Sequence, residues 1–189
     1  DAQVLVEPMR KNTAPCIGLA SLLVKGKSKD AVMITLPADH VITDGDLFIE
    51  NLKIAAEFAY KSDGLVTIGI VPTRPETGYG YIQFDEKQKE DKIYNVLNFA
   101  EKPNLTTAKR FLESGDFLWN SGMFIWRCDS ILNEIRTHMP ELYEGLEEIK
   151  PAIGRNDFYE VLAKVYGQQR SISIDYGIME KSDNVYLIK

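Results

Sequence analysis

The chain has 189 residues, a formal net charge of −6, 44% hydrophobic residues and 26% charged residues. This length suffices for a sizeable core and predicts one domain, with at most a small appendage. No apolar stretch reaches membrane-spanning length, and neither a signal-peptide pattern nor a basic cluster is visible, which argues against membrane and nucleic-acid binding and predicts a cytoplasmic protein. Cys16 and Cys128 lie far apart without a C-x-x-C pattern, which favours buried free thiols in a reducing compartment.

The chain begins with a predicted interior strand, residues 3–8 (QVLVEP). After a turn, an apolar helix is expected to start near Pro15, because proline is favoured at the first helical position. The first residue is Asp1, and the last segment, residues 184–189 (NVYLIK), is a predicted strand without a terminal cap. We therefore expect this sequence to be part of a longer protein.

Two nearly continuous apolar runs, residues 31–36 (AVMITL) and 65–71 (LVTIGIV), are typical of parallel strands covered on both faces. Residues 43–64 predict a helix between them, since Thr43 or Asp44 can cap its start and a glycine its end. One face of this helix carries apolar residues at helical spacing: Phe48, Leu52, Ala55, Ala56 and Ala59. The order predicts a right-handed βαβ crossover in an α/β fold with a mostly parallel sheet.

A hairpin is predicted next, because two extended segments, residues 78–86 and 93–103, flank a charged KQKEDK turn. We expect it at one edge of the sheet. Residues 104–116 predict a short capped helix that ends at Gly115.

The last third of the chain is mainly helical in pattern. Residues 117–128 (FLWNSGMFIWRC) first predict a strand that contains a tight Asn-Ser-Gly break. Residues 129–167 then predict helices interrupted at Pro140 and Pro151, and a last helix near residues 174–181 leads to the final strand.

Asp39 and His40 follow the first of the predicted parallel strands. Ligands of open α/β sheets bind beyond the carboxyl ends of the strands, and a carboxylate there suits Mg²⁺ with substrate phosphates. Asp39 is therefore a candidate metal ligand, with a simple turn cap as the alternative. We interpret His40 as structural.

Glu7 stands where the first predicted strand ends. Its carboxylate can accept two parallel hydrogen bonds, such as those that N1 and N2 of guanine offer. Arg10, Lys11 and the amides around Thr13 are expected to face the same crevice and to favour an anion. The alternative is an ordinary helix N-terminus with its capping residues.

Two further motifs carry candidate ligands. Gly78 and Gly80 allow close approach of a ligand, or only shape a turn. Glu101 and Lys102 precede a proline, so we expect both to be extended with side chains on opposite faces, one for sugar hydroxyls and one for a phosphate. The alternative is a pair of solvated charges at a strand end.

Asn120 lies in the break of the sequence WNSGMFIW, residues 119–126. Its amide needs partners if it is buried, and either a sugar hydroxyl or a local turn would provide them. We assign Trp119 and Trp126 to the core. None of these signals defines a function by itself.

In this order, the stretches EPMRKNTAP, LPADHVI, GIVPTRPETGYGYI, FAEKP, FLWNSGMFIW and SIDYGIMEKS resemble the sugar-phosphate nucleotidyltransferases over nearly the whole chain. The first stretch and WNSGMF are similar to the branch of that family that uses GTP and mannose 1-phosphate. The resemblance implies a Rossmann-like nucleotidyltransferase domain and a Mg²⁺-assisted reaction that gives GDP-mannose and pyrophosphate.

The resemblance also implies roles for individual residues. Asp39, with its Mg²⁺, and Lys102, at the phosphate of the sugar phosphate, are the implied catalytic residues. The implied nucleotide-binding residues are Glu7, Pro8, Arg10, Lys11, Asn12 and Thr13. The implied sugar-binding residues are Tyr79, Gly80, Glu101 and Asn120. Asp175 receives no firm role.

Two stretches typical of the family do not occur in this sequence. One is a loop of the form L-A-G-G-x-G-x-R-L-x-P-L with a following lysine, and the other is a W-S-D-x-G stretch with a second metal-binding aspartate. We therefore expect residues 1–189 to be the central part of one nucleotidyltransferase domain, truncated at both ends. Electrostatic positioning supplies most of such catalysis, so we expect the isolated chain to be inactive or nearly so.

Alternative functions stay open at this point. One is a relative that uses another sugar or base, although Glu7 favours guanine over uracil and thymine, which offer one donor between two carbonyls. Another is a non-catalytic regulatory homologue that binds nucleotide sugars on the same fold. The sequence also leaves open whether the protein forms a homo-oligomer.

Overall fold

The computed structural model describes residues 2–189, and of residues 88 and 89 the backbone alone. The chain divides into two compact units. The helical unit comprises the residues up to Ala31 together with Cys128–Ser182, and the sheet unit comprises Val32–Arg127 together with Asp183–Lys189. None of the helices described in either unit is long and apolar enough to cross a membrane.

The regular elements are, in chain order, α1 (Thr13–Lys27), β1 (Val32–Thr35), α2 (Gly45–Ser62), β2 (Leu65–Ile70), β3 (Tyr81–Glu90), β4 (Ile93–Ala100), α3 (Leu105–Ser114), β5 (Phe117–Arg127), α4 (Cys128–His138), α5 (Pro140–Ile149), α6 (Phe158–Gln168) and β6 (Val185–Ile188). A 3₁₀-helix, Lys150–Ala152, follows α5, and a π-helix, Asp175–Met179, precedes β6. The predicted interruptions at the two prolines are thus confirmed: α5 begins at Pro140, and Pro151 lies in the 3₁₀-helix.

The helical unit packs around α1, which starts two residues before the predicted Pro15. The side chain of Asn12 caps this helix by accepting the Thr13 N–H at 2.8 Å. A Cβ at Gly18 would lie only 2.9 Å from Leu146 Cδ1 and 3.3 Å from Ile135 Cδ1. The missing side chain therefore lets α4 and α5 pack closely against α1.

The strand predicted for residues 3–8 is wrong. These residues form no strand with any described part of the chain, and Val4 and Val6 are exposed. Their β-branched composition favours an extended backbone. A strand also needs a hydrogen-bonding neighbour, which composition cannot reveal.

The sheet unit contains one mixed sheet in the order β1–β5–β2–β6–β4–β3, so the prediction of a mostly parallel sheet is wrong. Among the described pairs only β2–β6 is parallel, and the others are antiparallel. The cause is β5, a late apolar strand that enters between β1 and β2 and runs against both. An apolar run indicates burial of both faces, but it does not indicate the direction of the neighbouring strand.

The strand–helix–strand order of β1, α2 and β2 is confirmed, although β5 separates the two strands. Both strands pair antiparallel with β5, so they run in the same direction. Asp44 caps α2 as predicted by accepting the Leu47 N–H at 3.0 Å. Leu52, Ala55 and Ala59 are buried against the sheet, as their helical spacing predicted.

The β3–β4 hairpin is confirmed, and it lies at one end of the strand order, as predicted, although the first residues of β3 also pair with β5. Its turn is only Asp91–Lys92, because β3 continues through most of the charged segment. Tyr81–Gln83 of β3 pair with β5, and β4 pairs with β6. The short helix α3 follows between Asn104 and Gly115, as the capping pattern predicted.

Candidate functional site

The Asn-Ser-Gly break predicted in β5 is a bulge. Thr67 of β2 pairs with Phe124, and Gly69 pairs with Asn120. Between these two pairs β5 has three residues and β2 has only one, so β5 bulges here. Gly122 within the bulge has φ 72°, which glycine adopts without strain. Its N–H donates to Asn120 Oδ1 at 3.1 Å. The side chain of Asn120 thus closes the bulge, in line with the local-turn interpretation.

Gly80 lies directly beside this bulge. The backbone N–H of Asn120 donates to the Gly80 carbonyl oxygen at 2.8 Å. A Cβ at Gly80 would lie 3.2 Å from Asn120 Cβ and would overlap Glu101 Oε2. This close contact explains why residue 80 is a glycine. Gly80, Glu101 and Asn120, which were all predicted to bind sugar, meet at this position.

Lys102 departs from the predicted conformation. Its φ of 49° is left-handed, its N–H donates to the Tyr79 carbonyl oxygen at 3.2 Å, and its Nζ pairs with Glu101 Oε1. The prediction of two extended residues with side chains on opposite faces is thus wrong. A following proline disfavours the right-handed helical region, but it does not prevent the turn that the bond to Tyr79 holds. The Glu101 side chain is 8% exposed and that of Lys102 55%, so only the cation reaches solvent.

Glu76 holds the loop that precedes β3. Its Oε1 accepts the N–H groups of Thr77 at 3.0 Å and Gly78 at 3.1 Å, and its Oε2 pairs with Arg74 at 3.1 Å. The Gly78 N–H and then the Arg74 guanidinium hold the pKa of Glu76 below its usual value. The loop is therefore fixed by a carboxylate at the residues just before Tyr79 and Gly80.

Trp119 joins three parts of the sheet unit. It pairs with Ile70 at the end of β2 and, on its other side, with Tyr81 at the start of β3. Its ring is buried, as predicted, and the ring of Tyr79 packs edge-on against it at a centroid distance of 5.2 Å. The residue after Trp119 is Asn120, so the pairing of Trp119 positions both Tyr79 and Asn120.

Asp39 lies beyond the end of β1, with its side chain 89% exposed and its Oδ1 3.1 Å from His40 Nδ1. Pro37, two residues earlier, lies 3.8 Å from a Cβ placed on Gly122, so this strand end approaches the bulge. The described residues contain no group of three or more histidine, cysteine, aspartate or glutamate side chains that could hold a metal ion. The accessible carboxylate fits one ligand of a Mg²⁺ ion that is otherwise held by phosphate oxygens and water.

Glu7 belongs to the helical unit and is partly buried, with Oε1 buried and without a hydrogen-bond partner. Its carboxylate lies beside the Cys16 thiol and the Tyr166 hydroxyl. Burial, and then the charge of Glu7, raises the pKa of Cys16 to about 11 and also raises the pKa of Tyr166. A ligand with an N–H donor would relieve the cost of the unpaired oxygen.

The start of α1 already bonds within the helical unit. Asn12 has φ 67°, and Thr13 Oγ1 accepts the Ile174 N–H at 2.9 Å. Lys11 Nζ donates to the Gly167 carbonyl oxygen at 3.3 Å. The other two nucleotide-binding candidates in this segment are exposed: Pro8 and Arg10.

The structure therefore brings together one set of predicted residues. Tyr79, Gly80, Glu101, Lys102 and Asn120 form a connected cluster in the sheet unit, which we call the bulge cluster. The nucleotide-binding candidates belong to the helical unit, and their roles stay a prediction.

Two supporting residues were not predicted from the sequence. Thr67 is completely buried, and its Oγ1 lies 3.2 Å from Asn120 Oδ1. A polar residue inside the apolar run LVTIGIV was the available signal. Glu76 lies within the quoted motif TRPETGYGYI, but its role in holding the loop depends on a backbone turn that the motif does not reveal.

Comparison with known proteins identifies the family. The family described as nucleotidyl transferase matches residues 1–165. The chain belongs to the nucleotidyl transferase family, and the predicted resemblance is thereby confirmed.

Individual relatives carry more specific names. A mannose-1-phosphate guanylyltransferase of Salmonella montevideo is 38% identical over 98% of this chain and 40% of its own length. A crystal structure from Thermus thermophilus, described as mannose-1-phosphate geranyltransferase, has a TM-score of 0.86 and 33% identity over 98% of this chain and 52% of its own. A crystal structure from Helicobacter pylori, described as mannose-6-phosphate isomerase, has a TM-score of 0.82 and 31% identity over 97% of this chain and 70% of its own. The chain thus spans about 40% of the length of the curated relatives it matches.

Proposed function

We propose that the protein transfers a guanylyl group from GTP to mannose 1-phosphate and thereby forms GDP-mannose and pyrophosphate. The observation that carries the proposal is the bulge cluster, in which Gly80, Glu101 and Asn120 converge and Lys102 adds a cation. A carboxylate and an amide beside a backbone without a side chain suit sugar hydroxyls, and the cation suits a phosphate. The name of the S. montevideo relative supports the choice of mannose 1-phosphate and GTP.

Within this proposal the sugar lies against the bulge cluster. Glu101 accepts hydrogen bonds from sugar hydroxyls, Asn120 bonds a neighbouring hydroxyl, and Tyr79 with Gly80 borders the ring. Lys102 turns from Glu101 toward the phosphate of the sugar phosphate, since its side chain is 55% exposed.

The nucleotide is assigned to the helical unit. Glu7 accepts the N1 and N2 donors of guanine, which would pair the carboxylate oxygen that is buried without a partner. Arg10 supplies an exposed cation for the triphosphate, and Asn12 and Thr13 shape the turn beside the base. Pro8 and Lys11 complete the segment, with Lys11 also bonded to Gly167.

The reaction asks little covalent chemistry of the protein. A phosphate oxygen of mannose 1-phosphate forms a bond to the α-phosphorus of GTP while the bond from that phosphorus to the bridging oxygen breaks, and pyrophosphate leaves. Lys102 would hold the attacking phosphate in line and offset part of its charge. Asp39 would hold Mg²⁺, which when bound neutralises charge on the phosphates.

Turnover of the full-length protein with GTP, mannose 1-phosphate and Mg²⁺ tests the proposal, with the 189 residues assayed beside it. We expect GDP-mannose and pyrophosphate in equal amounts from the full-length protein and little or none from the 189 residues alone. Parallel assays with glucose 1-phosphate and with dTTP test the relatives that use another sugar or base. Faster turnover of glucose 1-phosphate than of mannose 1-phosphate would overturn the assignment to mannose. Faster turnover of dTTP than of GTP would overturn the assignment to guanine.

The H. pylori structure provides the second candidate, because its description names a mannose-6-phosphate isomerase. Incubation with mannose 6-phosphate in the same assay tests this activity. Turnover of mannose 6-phosphate without any GDP-mannose would favour the isomerase over our proposal. Binding of GDP-mannose without turnover of either substrate would instead indicate a regulatory homologue.

A further inference from the structure

Thr67 connects the two ends of the β5 bulge. It lies in the middle of β2 and is completely buried. Its Oγ1 lies 3.2 Å from Asn120 Oδ1, at the start of the bulge, and 3.1 Å from the carbonyl oxygen of Met123, at its end. A buried hydroxyl between two acceptors shares its proton with both.

The hydroxyl also fixes which way the Asn120 carboxamide faces. Asn120 Oδ1 receives the Gly122 N–H at 3.1 Å as well as the Thr67 hydroxyl, so two donors converge on the oxygen. The opposite end, Nδ2, lies 3.6 Å from a Cβ placed on Gly80. Glu101 Oε2 also lies close to this Cβ position on Gly80. The amide nitrogen of Asn120 therefore faces the side of the bulge cluster on which the Glu101 carboxylate lies, which we call the carboxylate side.

We propose that Thr67 is a positioning residue for the sugar phosphate, acting through Asn120. This inference rests on the proposed function. Without the hydroxyl, Asn120 Oδ1 loses the donor that Thr67 supplies, and the carboxamide can rotate more easily about its last torsion, which has a broad energy profile. A rotated carboxamide presents its oxygen to the carboxylate side, where it repels Glu101 and no longer donates to a sugar hydroxyl.

A purely structural role predicts a different result. The bond to Met123 stabilises the strand, so loss of the hydroxyl also lowers the stability of the sheet unit. Lower stability reduces the amount of folded enzyme and hence the apparent kcat for both substrates. It does not change the KM for one substrate while the KM for the other stays constant.

The test compares Thr67→Val, which keeps the shape and loses the hydroxyl, with Thr67→Ser, which keeps the hydroxyl, in the full-length protein. We expect Thr67→Val to raise the KM for mannose 1-phosphate about tenfold, from the loss of one hydrogen-bond partner, and to leave the KM for GTP unchanged. Thr67→Ser should restore the KM for mannose 1-phosphate to within about twofold of the parent. In an Asn120→Ala background, Thr67→Val should raise that KM no further, because the two residues act as one unit.

Ser21→Ala is the matched control. Ser21 is also completely buried and donates to a backbone carbonyl, that of Ile17, at 2.7 Å, but it belongs to the helical unit. This variant should lose stability and keep the parent KM for mannose 1-phosphate. Two results would overturn the inference. One is a KM for mannose 1-phosphate that Thr67→Val leaves unchanged, and the other is a KM that Thr67→Val raises by the same factor in the parent and in the Asn120→Ala background. A parent protein that does not use mannose 1-phosphate at all would overturn the proposed function first, and the inference with it.

Discussion

Asn120 donates its backbone N–H to the carbonyl oxygen of Gly80 at 2.8 Å, which extends the β3–β5 pairing by one residue into the bulge. This bond holds a loop residue and a bulge residue at a fixed separation. The bulge cluster is therefore built on the sheet and not on a free loop, which limits how far its side chains can move.

Gly80→Ala tests this close approach. The added methyl group would overlap Glu101 Oε2 and press on Asn120 Cβ at 3.2 Å. We expect a loss of about 1–3 kcal/mol in the free energy of unfolding, measured with denaturant, and a raised KM for mannose 1-phosphate. Gly78→Ala is the control, because its Cβ would meet only Glu76 Oε1, at 3.4 Å. If Gly80→Ala and Gly78→Ala behaved alike, the packing around Gly80 would be misassigned.

Glu7→Gln tests the base specificity. Glutamine keeps the size of the side chain, but its single oxygen cannot accept two parallel hydrogen bonds from guanine. The kcat/KM for GTP should fall about 10- to 100-fold, the KM for mannose 1-phosphate should stay constant, and the preference for GTP over dTTP should shrink.

Glu134→Gln is the matched control for this change. Glu134 is a partly buried glutamate of the helical unit that pairs with His138. An unchanged GTP preference in Glu7→Gln, or an equal loss in Glu134→Gln, would remove Glu7 from the nucleotide site.

Asp39→Asn tests the metal assignment. Its carboxylate is 89% exposed and so contributes little to folding, but it is the proposed Mg²⁺ ligand. We expect kcat to fall roughly 100-fold, with a higher Mg²⁺ concentration needed for half-maximal rate, since a metal supplies several kcal/mol of charge stabilisation. Asp30→Asn, at another exposed aspartate, should leave both quantities unchanged. A parent-like Mg²⁺ dependence in Asp39→Asn would refute the assignment.

The two cysteines should react slowly with alkylating reagents. Burial raises the pKa of Cys16 and of Cys128 to about 11, from a usual value of 9.0. Because a raised pKa reduces the thiolate at any pH below it, alkylation by iodoacetamide at about pH 8 should be roughly 100-fold slower than in the unfolded chain. The rate should rise as the pH approaches 11, and mass spectrometry after timed quenching measures it. Equal rates in folded and denaturant-unfolded protein would contradict the burial of Cys128 and the partial burial of Cys16.

The sequence predicted those elements whose signals are local. Asp44 caps α2, and Asn104 and Gly115 bound α3, because each residue bonds or turns its own backbone. The bulge at Asn120 was visible for the same reason, since glycine and asparagine favour the backbone angles of a tight turn.

Features that depend on distant partners were not predictable. The directions of the strands were missed because β5, which enters between β1 and β2, begins more than forty residues after β2 ends. The left-handed turn at Lys102 depends on its bond to Tyr79, and the role of Thr67 depends on its position opposite the bulge. In each case the deciding partner is remote in sequence, and propensity does not report it.

The affinity of the full-length protein for mannose 1-phosphate, measured by calorimetry in the parent and in Glu101→Gln, tests the central claim most directly. Glu101 is the least exposed charge of the bulge cluster, and the claim requires it to accept sugar hydroxyls. We predict binding that is about tenfold weaker or more in Glu101→Gln, and no change in Glu57→Gln, an exposed carboxylate that pairs with Lys61 in the same unit. Equal affinity in the parent and Glu101→Gln would contradict the assignment of the bulge cluster to the sugar.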